Sequence, residues 1–140
     1  MVAKSIKIRV RAGDTDYTGY WFNPRALEWF SAGRIELLRS RKITYSKGGH
    51  LTVEGRPQDV SLVVGEVHAR FHAPAHFDDL VQLQTRVVEV REKTVKYEHT
   101  IKRLPDKTLL ATGSSTSVCI DRKTMRAATI PPRMAELLNA

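Results

Sequence analysis

A single cysteine in 140 residues excludes an internal disulfide. It lies in the apolar stretch Val118-Cys119-Ile120, which suits a small buried hydrophobe better than a nucleophile. No apolar run is long enough to span a bilayer, and the first residues lack the charged, apolar and cleavage regions of a secretory signal. A cytoplasmic protein with no membrane partner is therefore expected. Aromatic residues make up only 7% of the chain, no five or six like charges run together, and basic and aromatic residues do not interleave as in RNA-binding sheets. A nucleic-acid partner is thus disfavoured. There is no internal repeat and no low-complexity linker, and 140 residues with 41% hydrophobic content suffice for one domain over 1–140.

What the chain does carry is positive charge, +8 at pH 7 with a pI near 9.9. The basic residues fall in four stretches, Lys4 to Arg11, Arg34 to Lys47, Arg86 to Lys107 and Arg122 to Arg133. Such a surface attracts anionic partners, of which nucleic acid, anionic lipid and polyphosphate cofactors all qualify, and charge alone does not choose among them.

Hydrophobic periodicity gives a strand, a helix, then strands. Ile6, Ile8 and Val10 alternate with Lys7, Arg9 and Arg11, the period of a half-buried strand with a basic outer face. From Pro24 to about Lys42, Leu27, Trp29, Phe30, Ile35, Leu37 and Leu38 cover much of a helix circumference, so a central helix wrapped by other elements is expected. Gly48-Gly49-His50 and Gly55-Arg56-Pro57 mark a flexible connection. Four β-rich runs follow, Val60 to His72, Leu80 to Val90, Thr94 to Arg103 and Leu109 to Ile120, with breaks short enough to favour consecutive antiparallel strands. Pro131-Pro132 opens a short terminal helix over Arg133 to Leu138. The sum is an α+β domain whose antiparallel sheet curls around one helix.

The segment Gly13-Asp14-Thr15-Asp16-Tyr17-Thr18-Gly19-Tyr20-Trp21-Phe22-Asn23-Pro24 carries the chemistry. It sets a carboxylate in a Gly-bounded turn ahead of a helix in which Asn23 suits the N-cap and Pro24 the first helical position. Free N–H groups at a helix start can bind a developing oxyanion while a nearby carboxylate attacks or activates water, which points to acyl transfer. Short Asx and Ser/Thr side chains also stabilise turns with no catalytic part, and spacing alone leaves both readings open.

Three segments resemble the 4-hydroxybenzoyl-CoA thioesterase branch of the hotdog-fold acyl-CoA thioesterases. Gly13 through Asp16 to Gly19 and Pro24 is similar to the family's Asp-x-Asp-x-x-Gly turn and helix start. Val63-Val64 through Phe71, then Ala73-Pro74-Ala75-His76-Phe77-Asp78-Asp79-Leu80, is similar to its strand, small-residue turn and aromatic-Asp-Asp pair, and Gly113 to Asp121 to its last long strand. The resemblance implies a hotdog fold that hydrolyses acyl-CoA to free acid and CoA without a cofactor. It assigns Asp16 as nucleophile or general base, Asp14 as structural, and the backbone N–H of Asn23 as the oxyanion donor. Tyr17, Gly19, Trp21, Phe22 and Pro24 would line the substrate pocket. Arg91 and Lys93, at the bend between two long strands, would meet the CoA phosphates, with Arg122, Lys123 and Arg126 as a second basic cluster reaching over from a neighbouring subunit. A homo-oligomer, dimer or tetramer of hotdog dimers, is implied. Where the family usually carries Asn-Tyr in the first helical turn, this chain has Arg25-Ala26.

Other constellations are weaker. His68, His72 and His76 recur every fourth residue, but Pro74 interrupts a helix and four residues of strand advance about 13 Å, too far to share a metal. Asp78-Asp79 point to opposite faces if extended and suit a turn cap. Asp14 and Asp16 without phosphate make a poor Mg²⁺ site. Four alternatives to a CoA thioesterase with an aspartate nucleophile or base remain. They are an acyl-carrier-protein thioesterase on the same fold, a glutamate-dependent subfamily using Glu28 or Glu36, a hydratase, and a non-catalytic acyl-CoA or nucleic-acid binding module. Glu28 and Glu36 suit helix-surface pairing with arginines, and no Asp–His pairing of the hydratase type occurs around residues 23 to 36.

Overall fold

The computed structural model describes residues 2–16 and 18–140. Strand β1 (Ala3–Arg9) enters a single 3₁₀ turn (Ala12–Asp14), and helix α1 (Pro24–Ser40) follows. Three short strands, β2 (Ile43–Tyr45), β3 (Leu51–Val53) and β4 (Arg56–Pro57), precede four long ones. These are β5 (Val60–Phe71), β6 (Leu80–Val90), β7 (Thr94–Leu104) and β8 (Thr108–Asp121), after which α2 (Pro132–Asn139) closes the chain. The long strands and β1 form an antiparallel sheet in the order β1-β6-β7-β8-β5 that wraps α1, the hotdog arrangement.

Two expectations are corrected here. Consecutive pairing holds for β6, β7 and β8, but β5 crosses to the far side of β8 and becomes a sheet edge, while β1 takes the place beside β6. The 48–57 region, expected to be a flexible connection, supplies β3 and β4, which with β2 form a separate three-stranded sheet. Ile43, Leu51 and Val53 bury their side chains there, and Glu54 and Gly55 turn the chain with φ of 51° and 81°. Strands of two and three residues are too short to show a periodicity.

Helix α1 fills the concave face, and its core is split into two apolar layers. Trp21, Ala26, Trp29 and Phe30 pack with Val81, Leu83, Ile101 and Leu110. Leu37 and Leu38 pack with Val87, Val95, Tyr97 and Cys119 and with Met134 and Leu138 of α2. Each such side chain removed from water contributes about 1.5–3 kcal/mol. Cys119 is buried, and burial pushes its thiol pKa up, which keeps it inert.

Between the layers lies a buried polar one. Arg34 donates from Nη1 to Ser115 Oγ at 3.0 Å, the His99 ring bonds Ser115 Oγ at 2.8 Å and Thr85 Oγ1 at 3.0 Å, and Phe30 stacks on His99. Burial, reinforced by the Arg34 charge, drops the His99 pKa to about 3, so its imidazole is neutral. Two glycines admit this contact. A Cβ on Gly33 would lie 2.3 Å from Thr85 Oγ1, and one on Gly113 would lie 2.5 Å from both the His68 carbonyl oxygen and the Phe30 ring.

Candidate functional site

The turn between β1 and α1 is built on Asp14. This residue is 1% exposed, and its carboxylate accepts from the backbone N–H of Arg11 at 2.9 Å and from the Arg11 side chain. Arg25 Nε forms an ion pair with Asp14 Oδ1 at 3.2 Å, without the alignment of a hydrogen bond, while Arg25 Nη2 donates to the Gly13 carbonyl at 2.9 Å. Burial pushes the Asp14 carboxyl up, but the Arg11 hydrogen bonds and the charges of Arg11 and Arg25 outweigh it and hold the pKa below the ordinary value. Arg25, which stands where the resembled family differs, thus fastens the first turn of α1 to the loop.

Asp16 sits beyond this anchor. Its backbone N–H donates to the Tyr20 carbonyl, the Gly19 N–H donates back to the Asp16 carbonyl, and Gly19 has φ of 87°, a conformation in which glycine carries no Cβ penalty. Asp16 Oδ1 accepts from the Thr18 hydroxyl and, at 2.7 Å, from the Thr18 N–H. These two bonds, the hydroxyl first, lower the Asp16 pKa, so the carboxylate is ionised at neutral pH. Tyr17 lies outside the described residues.

Asn23 departs from the expected cap. Its side chain makes no cap bond, because the first-turn N–H groups of Arg25 and Ala26 already donate to the Phe22 and Asn23 carbonyls. The Trp21 N–H goes to the Ala75 carbonyl, the Phe22 N–H goes to the Asp14 carbonyl, and Pro24 has none. Among the described residues, the Asn23 N–H is left at the helix start without an acceptor.

Asn23 lines a cleft of about 260 Å³ together with Trp21, Phe71, His72, Ala73 and Pro74. Trp21 is wedged between Trp29 and Phe71, each at 5.6 Å between ring centroids. Of the residues expected to line a substrate pocket, Trp21 borders this cleft, and Gly19, Phe22 and Pro24 are not in its lining. Phe71 through Pro74, which also border it, were not singled out as pocket candidates, although their strand end and turn were part of the motif that carried the resemblance.

Other candidates are placed as follows. Glu28 pairs with Arg25 and Glu36 with Arg39 on the helix surface. His68 bonds Glu66, His72 bonds Thr112 and His76 lies by Asp79, so the three histidines do not converge, and among the described residues no group of His, Cys, Asp or Glu could hold a metal. Asp79 accepts from the His76 N–H as a turn cap. Arg91 pairs with Glu89, and Lys93 is exposed beside it. Both sit at the opposite end of β6 from the Asp16 turn, and the 11 residues of β6 span about 33 Å, so one chain does not bring them together. Arg122 donates to the Gly49 carbonyl and follows the end of β8 that lies beside the Lys93 bend, where the Cys119 N–H donates to the Lys93 carbonyl. No helix among the described residues is long and apolar enough to cross a membrane.

Comparison with known proteins agrees with this architecture. Residues 10–138 match the model of the thioesterase-like superfamily. The acyl-CoA thioesterase YbgC of Haemophilus influenzae is 30% identical over 128 residues, covering 91% of this chain and 88% of the relative. The structure of TT1821, a hypothetical protein of Thermus thermophilus, superposes with a TM-score of 0.82 at 27% identity, covering 96% of each chain. Slr0204, a 1,4-dihydroxy-2-naphthoyl-CoA thioesterase from Synechocystis, shares the fold at a TM-score of 0.84 and 18% identity, over 98% of this chain and 96% of that one. With a turn that holds an ionised aspartate ahead of a helix bearing a free N–H, and a family match over nearly its whole length, this chain belongs to the thioesterase-like superfamily.

Proposed function

We propose that the protein is an acyl-CoA thioesterase, hydrolysing the thioester to free acid and CoA, active as one domain over 1–140 in the cytoplasm. The observation that carries this is the Asn23 N–H left without an acceptor at the start of α1, on a residue that lines the Trp21–Phe71 cleft and follows a turn that keeps Asp16 ionised. A thioester carbonyl oxygen accepting from Asn23 N–H at the positive end of α1 gains stabilisation as it becomes an oxyanion. Asp16 then either attacks the carbonyl carbon, so that CoA leaves as the thiolate and water cleaves the resulting anhydride to free acid and the Asp16 carboxylate, or takes a proton from a water that attacks the carbon and expels the CoA thiolate directly. Asp14, held by Arg11 and Arg25, fixes the turn.

The active form is a homodimer formed through β5. That strand is a sheet edge and exposes Val63, Val64, Val67 and Phe71, whereas the other edge, β1, is guarded by Lys4, Lys7 and Arg9. Antiparallel pairing of two β5 edges centred on Val67 sets Phe71 beside the partner's Val63, so opposite ends of the two sheets come together. This arrangement brings the Arg91–Lys93 bend of one subunit toward the Asp16 turn of the other, where Arg91 and Lys93 meet the CoA phosphates, and the net charge of +8 steers that polyanion in.

The test is thiol release from aromatic, short-chain and long-chain acyl-CoA thioesters and from acyl-carrier-protein thioesters. Turnover of one CoA class is expected. Turnover confined to the carrier-protein thioesters would replace CoA as the leaving group, and none with either would leave a binding module.

A further inference from the structure

A second cavity, of about 220 Å³, opens where the later turns of α1 face β5, β7 and β8. Ile35 and Leu62 form apolar walls, and Arg34, Tyr45, Tyr97 and Ser117 supply the polar ones. Arg34 is 7% exposed and always charged, yet its partners are two hydroxyls, Ser115 at 3.0 Å and Ser31 at 2.8 Å. No carboxylate lines the cavity among the described residues. A buried cation without a counter-ion is costly. Tyr97 is fully buried in the same wall, and its hydroxyl has no hydrogen-bond partner. An orphan donor and an uncompensated guanidinium in one cavity form an unfilled site for an anionic oxygen ligand.

Arg34 lies 11 residues beyond Asn23, about 16 Å along the helix, too far for a short acyl group held at the same chain's oxyanion donor. Under the β5 pairing proposed above, however, Phe71 of one subunit stands beside Val63 and Val64 of the other, and Val64 lines this cavity. The Trp21–Asn23–Phe71 cleft of one chain and the Arg34 cavity of its partner then form one continuous pocket. At about 30 Å³ per water, the cavity holds the volume of about seven waters, enough for a short chain and its terminal group.

We infer that the acyl group this enzyme prefers is short and ends in a carboxylate, which the partner subunit's Arg34 and the hydroxyl of the partner subunit's Tyr97 bind. This rests on the thioesterase reading and names the substrate class of that site.

The experiment compares glutaryl-CoA with its uncharged isostere 5-methylhexanoyl-CoA, in wild type, Tyr97→Phe and Arg34→Gln. Binding of monomethyl glutarate is measured separately by calorimetry. Wild type is expected to favour glutaryl-CoA at least tenfold in kcat/KM and to bind monomethyl glutarate saturably. Tyr97→Phe removes an unsatisfied hydroxyl, so it should fold with a Tm no lower than wild type while losing about tenfold on glutaryl-CoA and on the free ligand. Its loss on 5-methylhexanoyl-CoA should be several-fold smaller, so that the preference for glutaryl-CoA narrows. A preference for the hydrocarbon, or equal loss on both substrates in Tyr97→Phe, overturns the inference even if Arg34→Gln fails to fold. Saturable binding weakened by Tyr97→Phe with no hydrolysis of any thioester would keep the carboxylate site and overturn the hydrolase reading, and absence of both would overturn the two together.

Discussion

At the scale of single residues, two aspartates two positions apart have opposite surroundings. Asp14 is buried and held by two arginines, and Asp16 is half-buried with, among the described residues, Thr18 on its carboxylate. Because Thr18 lowers the Asp16 pKa, the base form persists to lower pH than for an ordinary aspartate. The acid limb of kcat/KM should therefore rise with pH through a value below the ordinary aspartate pKa, to the extent that the fold survives there. Thr18→Ala should move that limb to higher pH, and a profile unchanged by the substitution would remove Thr18 from the mechanism. His99 sets a different dependence. Its pKa of about 3 in the fold lies below the unfolded value near 6.5, so the unfolded chain takes up a proton that the native one refuses. Stability conferred by a neutral His99 is full above about pH 6.5 and falls as pH drops toward 3, by at most about 1.4 kcal/mol per pH unit. Urea unfolding of His99→Gln should show a flatter stability curve than wild type between pH 6.5 and 4.5. Neither behaviour is visible in the string of residues, since Asp14 is fastened by Arg25 only once α1 folds back on the turn, and His99 is dry because α1, more than 60 positions earlier, lays Phe30 and Arg34 around it.

At the scale of elements, α1 and the sheet meet across glycines. Placing a methyl group at Gly113 drives it into the Phe30 ring and the His68 carbonyl, so Gly113→Ala should cost about 1–3 kcal/mol, read as a lower denaturant midpoint at unchanged slope. An unchanged midpoint would mean that α1 packs more loosely than this geometry has it. How legible each element was follows from the same physics. Pro24 announced the start of α1, and alternation or apolar runs announced the long strands, because local sequence governs both. Leu27 and Ile35 were read as part of a wrapped helix, but they are exposed. Arg34 gave no signal, since a helix arginine is ordinarily solvated. The placing of β5 at an edge is a non-local pairing that periodicity does not encode.

At the scale of the whole molecule, the Asp16 turn and the basic bend at Arg91 and Lys93 lie at opposite ends of the sheet, and the edge strand β5 exposes Val63, Val64, Val67 and Phe71. The dimer proposed above joins the two through that edge. Val67→Lys, placed at the centre of the proposed β5 pairing, should give a monomer by light scattering with thioesterase activity lost and secondary structure retained. A dimeric, active variant would move the interface elsewhere. The central claim, hydrolysis driven by Asp16 beside the Asn23 N–H, is tested most directly by free-thiol release from the best acyl-CoA substrate with wild type and Asp16→Asn, the variant's fold checked by circular dichroism. The account predicts a folded variant whose kcat has dropped by about 10²–10⁴-fold. A folded Asp16→Asn protein that turns over at the wild-type rate would contradict it.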